Sequence, residues 1–337
     1  MEFFKPNTNF DFLRWRSISL TVSVVLMLLC AGLIFVRGLN YGLDFTGGAL
    51  VEVKYEQSAD IADVRAALTE GGFAGAIVQG LGTAKEYAIR IAPHDGGKAA
   101  ATGEAGDAKA RNDRIAADVL KALQAKRADA RIKRSDFVGP QVGEELRGDG
   151  LVAVIFVIMG IMFYLWMRFE WRFAVAAVAS EIHDTLLTVG VFALLGREFD
   201  LTALAAVLSV VGYSINDKVV VFDRVREIFR ASRKGEPVEI LNRSINSTLS
   251  RTIMTGLTTG LAVGALWLAG GPAVENFGLI MVIGIIIGTL SSIFFANPIL
   301  LWLGVSKKDL MPVTREDPEL ARRAADMNLR GSLMDST

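Results

Sequence analysis

Six long apolar stretches constrain the fold of this chain more than any other feature. They cover residues 17–36, 151–167, 173–196, 201–222, 253–271 and 277–305. A helix needs about 20 mostly apolar residues to cross the hydrocarbon core of a membrane, and these stretches meet or approach that length. With 52% hydrophobic residues, the chain is neither an ordinary soluble domain nor a disordered one. We therefore predict a polytopic α-helical membrane protein with six transmembrane helices.

The first and last stretches need a closer reading. The apolar run at 17–36 is too long for a cleaved signal peptide, and no small-residue cleavage pattern follows it. The last stretch contains Asn297-Pro298, where we expect the helix to kink or stop, because proline removes a helical hydrogen bond.

The distribution of lysine and arginine predicts the orientation of the spans. The segments 1–16, 168–172, 223–250 and 306–337 together hold 17 of them, whereas the loops 197–200 and 272–276 hold only Arg197. Short cytoplasmic loops carry the excess of basic residues in membrane proteins. Both termini, the loop 223–250 and the tail 306–337 are therefore predicted to be cytoplasmic, and residues 37–149 form one domain on the outside.

The outside domain shows alternating strand and helix patterns. Strands are predicted at 50–56, 76–79, 87–91 and 130–138, and helical spacing of apolar residues predicts a helix at 111–126. A further helix is expected to start after Ser58 or Asp60 and to end at Gly71-Gly72. The segment 93–110, rich in Gly and Ala, is predicted to be a loop. The order β-α-β-β-α-β predicts a ferredoxin-like α+β domain between the first and second spans.

Composition and motifs exclude several kinds of function. Lys+Arg and Asp+Glu each number 36, so net charge gives no reason to expect nucleic-acid binding. No phosphate-binding loop is present, since Ala92 stands where the motif ending near Gly97-Lys98 needs its first glycine. Cys30 is the single cysteine, and the two histidines are not spaced as a zinc pair. We expect a transport component, not an enzyme, with no catalytic residue, metal or cofactor.

Ionisable residues inside the apolar stretches are the strongest candidates for function. Each costs about 2.5–3.5 kcal/mol at the centre of a span on insertion scales, so it needs a reason to be there. The candidates are Glu181, His183 and Asp184 in the third span, Tyr213, Asn216, Asp217 and Lys218 in the fourth, and Arg251 and Thr255 in the fifth.

Two interpretations of these residues stay open. Asp217 and Arg251 lie at compatible depths, so they could form a proton-responsive pair or a static ion pair that joins two helices. His183 and Asp184 could belong to a proton site or make a polar helix–helix contact. Lys218 is expected to extend to the inner interface, and Asp223, Arg224 and Arg226 are expected to be solvated. Rows of small residues in the fifth and sixth spans favour ordinary close packing of helices.

Several motifs together resemble a known family. They are Asp44 to Gly47-Gly48 after the first span, Gly139-Pro140 to Gly143 before the second, His183-Asp184 in the third, and Gly212 to Asp217 with Asp223-Arg224 in the fourth. This combination resembles the SecF family of protein-export subunits, within the resistance–nodulation–division superfamily. The resemblance covers about residues 15 to 305.

The resemblance implies a function and a set of partners. Members of the family pair with SecD, associate with the SecYEG channel and commonly with YajC, and use the proton-motive force to complete export of unfolded preproteins. Asp217 would be the proton-responsive carboxylate, Arg251 its partner, and Thr255 would lie one turn beyond on the same face. The location implied is a bacterial inner membrane, with residues 37–149 in the periplasm. Lys218 departs from the family, which usually has a small hydroxyl residue there.

Two other functions are compatible with the sequence. The helices could be a passive scaffold that stabilises SecD or SecYEG without moving protons. The chain could also be half of a proton-driven small-molecule exporter of the same superfamily, although an outside domain of about 110 residues leaves little room for a drug-sized pocket.

Overall fold

Six helices are long and apolar enough to cross a membrane, as the hydropathy pattern predicts. The structure is a computed structural model that describes residues 9–81, 84–92, 108–232 and 235–306. The spans belong to helices α1 (Arg16–Arg37), α5 (Pro140–Arg168), α6 (Trp171–Leu195), α7 (Leu201–Ala231), α8 (Pro237–Ala269) and α9 (Pro272–Ser291). The chain is a multi-pass membrane protein with a small antiparallel sheet between its first two spans.

Three of these helices extend well beyond their apolar stretches. Helix α5 starts at Pro140 instead of residue 151, and α7 continues to Ala231 instead of residue 222. Helix α8 starts at Pro237 instead of residue 253, with proline at the first helical position, where its missing N–H is not needed. The limits of the apolar stretches at 151, 222 and 253 are therefore not the ends of these helices. Hydropathy reports the thickness of the hydrocarbon core, whereas a helix continues until its backbone is capped.

The sixth span is irregular near the expected proline break. Helix α9 ends at Ser291, a π-helical turn covers Ser292–Ala296, and helix α10 (Asn297–Trp302) completes the span. Pro298 cannot donate a backbone hydrogen bond and its ring crowds the preceding turn. The wider π turn accommodates this without ending the helix.

The outside domain contains four strands and two main helices. The strands are β1 (Gly48–Lys54), β2 (Ile77–Gly80), β3 (Glu86–Ile91) and β4 (Arg131–Val138), and they form an antiparallel sheet in the order β2-β3-β1-β4. Helices α3 (Ile61–Glu70) and α4 (Ala108–Gln124) pack against the sheet. Asp60 caps α3, and Gly71 follows its last residue, as predicted. Residues 108–110 belong to α4, so the predicted loop was too long there, and 93–107 lie outside the described residues.

Two of the motifs, Asp44 to Gly48 and Gly139 to Gly143, form a tight joint between the outside domain and the membrane helices. A short helix α2 (Leu43–Thr46) follows the first span and ends at Gly47, whose φ is +69°. A Cβ atom on Gly47 would lie 2.9 Å from the Cα of Pro140, and one on Gly143 would lie 2.9 Å from the amide nitrogen of Gly47. The backbones of α2 and α5 therefore approach each other more closely than any side chain permits.

Other residues of these motifs fix the joint to the bundle. Asp44 accepts a hydrogen bond from the backbone N–H of Leu201 at 3.0 Å, which ties α2 to the start of α7. Gly139 caps α5 and Pro140 is its first residue. Gly48 opens β1 and pairs with Val138 of β4.

The inner part of the bundle is made by α6, α7 and α9, whose spans are mostly buried, while α1, α5 and α8 lie outside them. The small-residue row of the sixth span is part of this packing. A Cβ on Gly284 would overlap the side chain of Val210, and one on Gly288 would lie 2.8 Å from the hydroxyl of Ser214. Close packing therefore explains this row, in agreement with the sequence interpretation. In the row of the fifth span only Gly256 is closely packed, with the Thr289 hydroxyl 3.1 Å from an added Cβ, whereas no described atom lies within 4 Å of one on Gly260 or Gly264.

We predict that Gly47→Ala destabilises the joint by about 1–3 kcal/mol, because its backbone conformation is nearly exclusive to glycine and the new Cβ meets Pro140. Thermal unfolding of the purified protein in detergent measures this. Gly80→Ala is the matched control, because no atom lies within 4 Å of its new Cβ. Equal melting temperatures for the two variants would contradict the prediction.

Candidate functional site

The centre of the bundle holds a cluster of charged side chains. Asp184 on α6 is fully buried, and its Oδ2 atom accepts hydrogen bonds from Lys218 at 2.8 Å, Ser214 at 2.5 Å and Ser291 at 2.6 Å. Its Oδ1 atom lies 2.8 Å from Nδ1 of His183. The partners of Asp184 therefore lie on its own helix α6 and on α7 and α9, and both of its oxygens have partners.

Lys218 lies in the interior and not at the membrane surface. Its Nζ atom donates to Glu181 Oε2 at 2.8 Å, Asp184 Oδ2 at 2.8 Å and Ser214 Oγ at 2.7 Å, and the residue is 1% exposed. The expectation that Lys218 extends to the inner interface was wrong. Two carboxylates on the facing helix and the hydroxyl of Ser214 replace the water that would otherwise solvate the ammonium group. All three of its protons therefore have acceptors.

The π turn supports this cluster from the sixth span. It places the ring of Phe295 against the imidazole of His183, with ring centroids 4.1 Å apart and planes 19° from parallel. Ser291, which bonds Asp184, is the residue just before the turn. A π turn inside a long helix frequently accompanies a functional site, because it redirects side chains by one position.

Asp217 faces a different side of α7 from Lys218. Its Oδ1 atom accepts a hydrogen bond from the hydroxyl of Thr252 on α8 at 2.8 Å, and Oδ2 has no hydrogen-bond partner among the described residues. Consecutive residues of a helix point about 100° apart, which explains how neighbouring Asp217 and Lys218 belong to separate environments.

Arg251 is not paired with Asp217 in this structure. Its side chain is exposed and lines an open cleft with Asp223, Arg224 and Glu227. Within the described part of the chain, no ion pair joins Arg251 to Asp217. Asp217 is contacted from α8 by Thr252, which is the residue next to Arg251. The sequence therefore predicted the helix and turn that contact Asp217 in this structure, but a different side chain.

The remaining candidates lie around these two groups. Tyr213 is half-buried, with its hydroxyl near Gly256 of α8, and Thr255 bonds the backbone of its own helix. Asn216 is on an exposed face of α7. Asp223 pairs with Arg168 at 2.5 Å, and Arg224 pairs with Glu227 at 2.6 Å. These two pairs lie at the end of α7 outside its apolar stretch, where their side chains are partly solvated, as expected. The expectation was wrong for Arg226, whose side chain is 14% exposed, pairs with Glu170 at 3.2 Å and lies over the ring of Phe169.

The two groups differ in how completely their polar atoms are satisfied. Asp184 and Lys218 have partners for every charged atom, whereas Glu181 and Asp217 each keep one buried oxygen without a hydrogen-bond partner in the described residues. A buried carboxylate oxygen without a partner is costly. Glu181 and Asp217 are therefore the two positions where a change of protonation or of partner has the most to gain.

Sequence reasoning missed the hydroxyl partners of the carboxylates. Ser214 lies one turn before Lys218, Thr252 follows Arg251, and Ser291-Ser292 interrupts the longest apolar stretch. The serine pair was a usable signal, since two hydroxyls deep in an apolar span need a reason. The described residues hold no group of three or more His, Cys, Asp or Glu side chains arranged around a metal ion.

Comparison with known proteins identifies the family. The family model described as "Protein export membrane protein SecD/SecF, C-terminal" matches residues 118–306, and the "SecD/SecF GG Motif" model matches residues 32–59. A protein translocase subunit SecF of Pseudomonas aeruginosa is 42% identical over 309 residues, covering 91% of this chain and 95% of that protein. The chain belongs to the SecF family of protein translocase subunits.

Other members of the SecF family and solved structures agree. The SecF of Escherichia coli O157:H7 is 39% identical over 303 residues, covering 90% of each chain. The crystal structure of SecDF, a translocon-associated membrane protein from Thermus thermophilus, matches with a TM-score of 0.78 and 34% identity over 89% of this chain. This chain spans only 39% of that SecDF chain. A second SecDF structure, in a super-membrane-facing form, matches with a TM-score of 0.62.

We predict that Lys218→Met destabilises the bundle by about 3–5 kcal/mol, because it leaves Glu181 and Asp184 buried without their cation. The double variant Lys218→Met with Glu181→Gln should recover part of this loss. Thermal unfolding in detergent measures both.

The matched control for Lys218→Met is Lys126→Met. Lys126 forms an exposed pair with Glu70, and such pairs are worth about 1 kcal/mol or less. A Lys218→Met protein as stable as the Lys126→Met protein would show that Lys218 does not neutralise the cluster.

Proposed function

We propose that this chain works with SecD to use the proton-motive force to complete the export of preproteins through SecYEG. The observation that carries the proposal is the environment of Asp217. This carboxylate is buried inside a span, and one of its oxygens has no hydrogen-bond partner among the described residues. It faces the hydroxyl of Thr252 on α8, and the residue next to Thr252 is Arg251. Membership of the SecF family supports the translocase role.

The geometry around Asp217 offers two alternative partners on the same turn of α8. Thr252 is the partner of Asp217 in this structure, and its hydroxyl can donate to a carboxylate or accept from a carboxylic acid. Arg251 is about 100° around the helix, so a rotation of α8 of this size, or a smaller rotation combined with a swing of the long arginine side chain, would exchange the hydroxyl for a guanidinium. A guanidinium partner stabilises only the ionised form of the carboxyl group. Movement of α8 would then be linked to proton binding at Asp217.

The joint between α2 and α5 would transmit this movement to the outside domain. The sheet is also tied to the loop between α6 and α7, because Arg90 of β3 pairs with Glu198 of that loop. Arg90 also donates to the carbonyl of Tyr41, between α1 and α2. Rigid connections of this kind let a change among the spans reorient the domain as one body. We propose that this domain is a ferredoxin-like unit in the periplasm that contacts the unfolded preprotein.

The proposed setting follows from the family and from the basic residues. The chain lies in a bacterial inner membrane with both termini in the cytoplasm and residues 37–149 in the periplasm. SecD, SecYEG and YajC are the proposed partners. The absence of a phosphate-binding loop in the sequence is consistent with a chain that uses the ion gradient and not nucleotide hydrolysis.

We predict that Asp217→Asn removes the gradient-dependent part of export. The amide cannot exchange a proton but keeps the hydrogen bond from Thr252. Inverted vesicles that contain SecD and SecYEG are supplied with saturating ATP, and completion of precursor translocation is timed with and without a proton gradient. The variant should run at the gradient-free rate under both conditions.

Asp118→Asn is the matched control, because Asp118 is exposed on α4 outside the membrane. Normal levels and co-purification of both variants with SecD are checked first. If Asp217→Asn keeps the wild-type rate and its gradient dependence, Asp217 is a structural polar contact and the chain is a scaffold.

A further inference from the structure

The charged cluster on α6 and α7 joins two acids to one lysine. Among the described residues, Lys218 contacts both Glu181 and Asp184, so a single ammonium group is shared between two carboxyl groups. Asp184 takes the larger share of the stabilisation, since it accepts from Lys218, Ser214 and Ser291 and contacts His183. Glu181 is therefore the less stabilised of the two acids.

Glu181 lies at the wall of an apolar groove. The groove has a volume of about 430 Å³ and lies between α1, α5, α6 and α7. Its wall consists of aliphatic side chains and methionine, such as Ile34 of α1, Met162 of α5 and Val211 of α7, with Glu181 and Thr185 as its polar residues. Oε2 of Glu181 is held by Lys218, whereas Oε1 is buried without a partner. The residue is 8% exposed.

The surroundings of Glu181 contain few groups that could exchange a proton with it. From α6 the facing group is Asp184, with His183 behind it, and from α7 it is Lys218. Helices α1 and α5 present only apolar side chains to the groove. Cys30 of α1 packs at Gly190, more than two turns along α6 from Glu181. Of the openings in the described part of the bundle, the groove is the one that Glu181 lines.

We propose that Glu181 is a second exchangeable proton site of this chain, distinct from Asp217 and reached from the groove between α1, α5, α6 and α7. The proton adds to Oε1 and converts the carboxylate to a carboxylic acid, while Lys218 keeps its hydrogen bond to Oε2. Protonation thus removes one negative charge from the buried cluster. This site goes beyond the proposed export function, which requires proton exchange only at Asp217.

The position of Glu181 separates it from Asp217 in space as well as in chemistry. Asp217 faces α8 through Thr252, whereas Glu181 faces α1 and α5. Lys218 occupies the interior between α7 and α6 and contacts Glu181 directly. The two acids therefore open on different sides of the bundle and can be loaded independently.

Infrared spectroscopy tests the proposal directly. The full chain is purified with SecD, reconstituted in lipid nanodiscs and titrated with acid, with glutamate side chains labelled with ¹³C so that their carbonyl bands separate from those of aspartic acids such as Asp217. Exposed glutamates also become protonated as pH falls and add their own labelled signal. We therefore expect a distinct labelled band of a buried carboxylic acid, which grows as pH falls, shifts in D₂O and is lost in Glu181→Gln. Glu275→Gln, which alters a pair with Arg197 near the surface, should keep the band.

Two results would overturn the proposal: a Glu181→Gln spectrum identical to that of the wild type, or no labelled buried-acid band at any pH where the protein stays folded. If Glu181→Gln does not assemble, Glu181→Asp serves in its place. The band should then disappear from the glutamate label and appear under an aspartate label, and its failure to transfer counts against the site. Because the glutamate label reads Glu181 apart from Asp217, the outcome does not depend on the export assay.

Discussion

The Lys218 ammonium group, 2.8 Å from both the Glu181 and Asp184 carboxylates, is the interaction on which the membrane part of this structure depends. Inside a bilayer, apolar burial does little to hold one helix against another, since lipid tails are as apolar as the side chains they would replace. Polar contacts and close packing must do this instead. Around Lys218 they join α6, α7 and, through Ser291, the sixth span. The glycine row of α9 supplies the close approach that lets Ser291 reach Asp184.

The same cluster keeps Lys218 away from Asp217. Lys218 is the cation nearest to Asp217 in sequence, but all of its donors are used on the facing side of α7. Asp217 instead accepts a hydrogen bond from Thr252 of α8, the residue next to Arg251. Lys218 therefore adds a charge to the interior without placing it on Asp217. Glu181 on the facing helix is a partner of that charge.

The outside domain is connected to the bundle by contacts of a different kind. Backbone approach at Gly47 and Gly143, the Asp44 bond to the start of α7, and the Arg90–Glu198 pair all lie where the domain meets the outer ends of the helices. Steric contact between backbones is stiff, because no side chain can rearrange to relieve it. The motif glycines and Asp44 thus connect the domain to the spans.

The sequence by itself determined the number of spans, the order of strands and helices outside the membrane, the family, and which residues carry charge into the bilayer. Each of these depends on local pattern: a length of apolar chain, an alternation, or a charge that is out of place. Only the tertiary structure decided which partner each charge has. Asp217 meets Thr252 instead of Arg251, and Lys218 turns inward to Glu181 and Asp184. Helix rotation and the π turn before Pro298 set these pairings, and a difference of one residue, about 100° around a helix, is enough to exchange one partner for another.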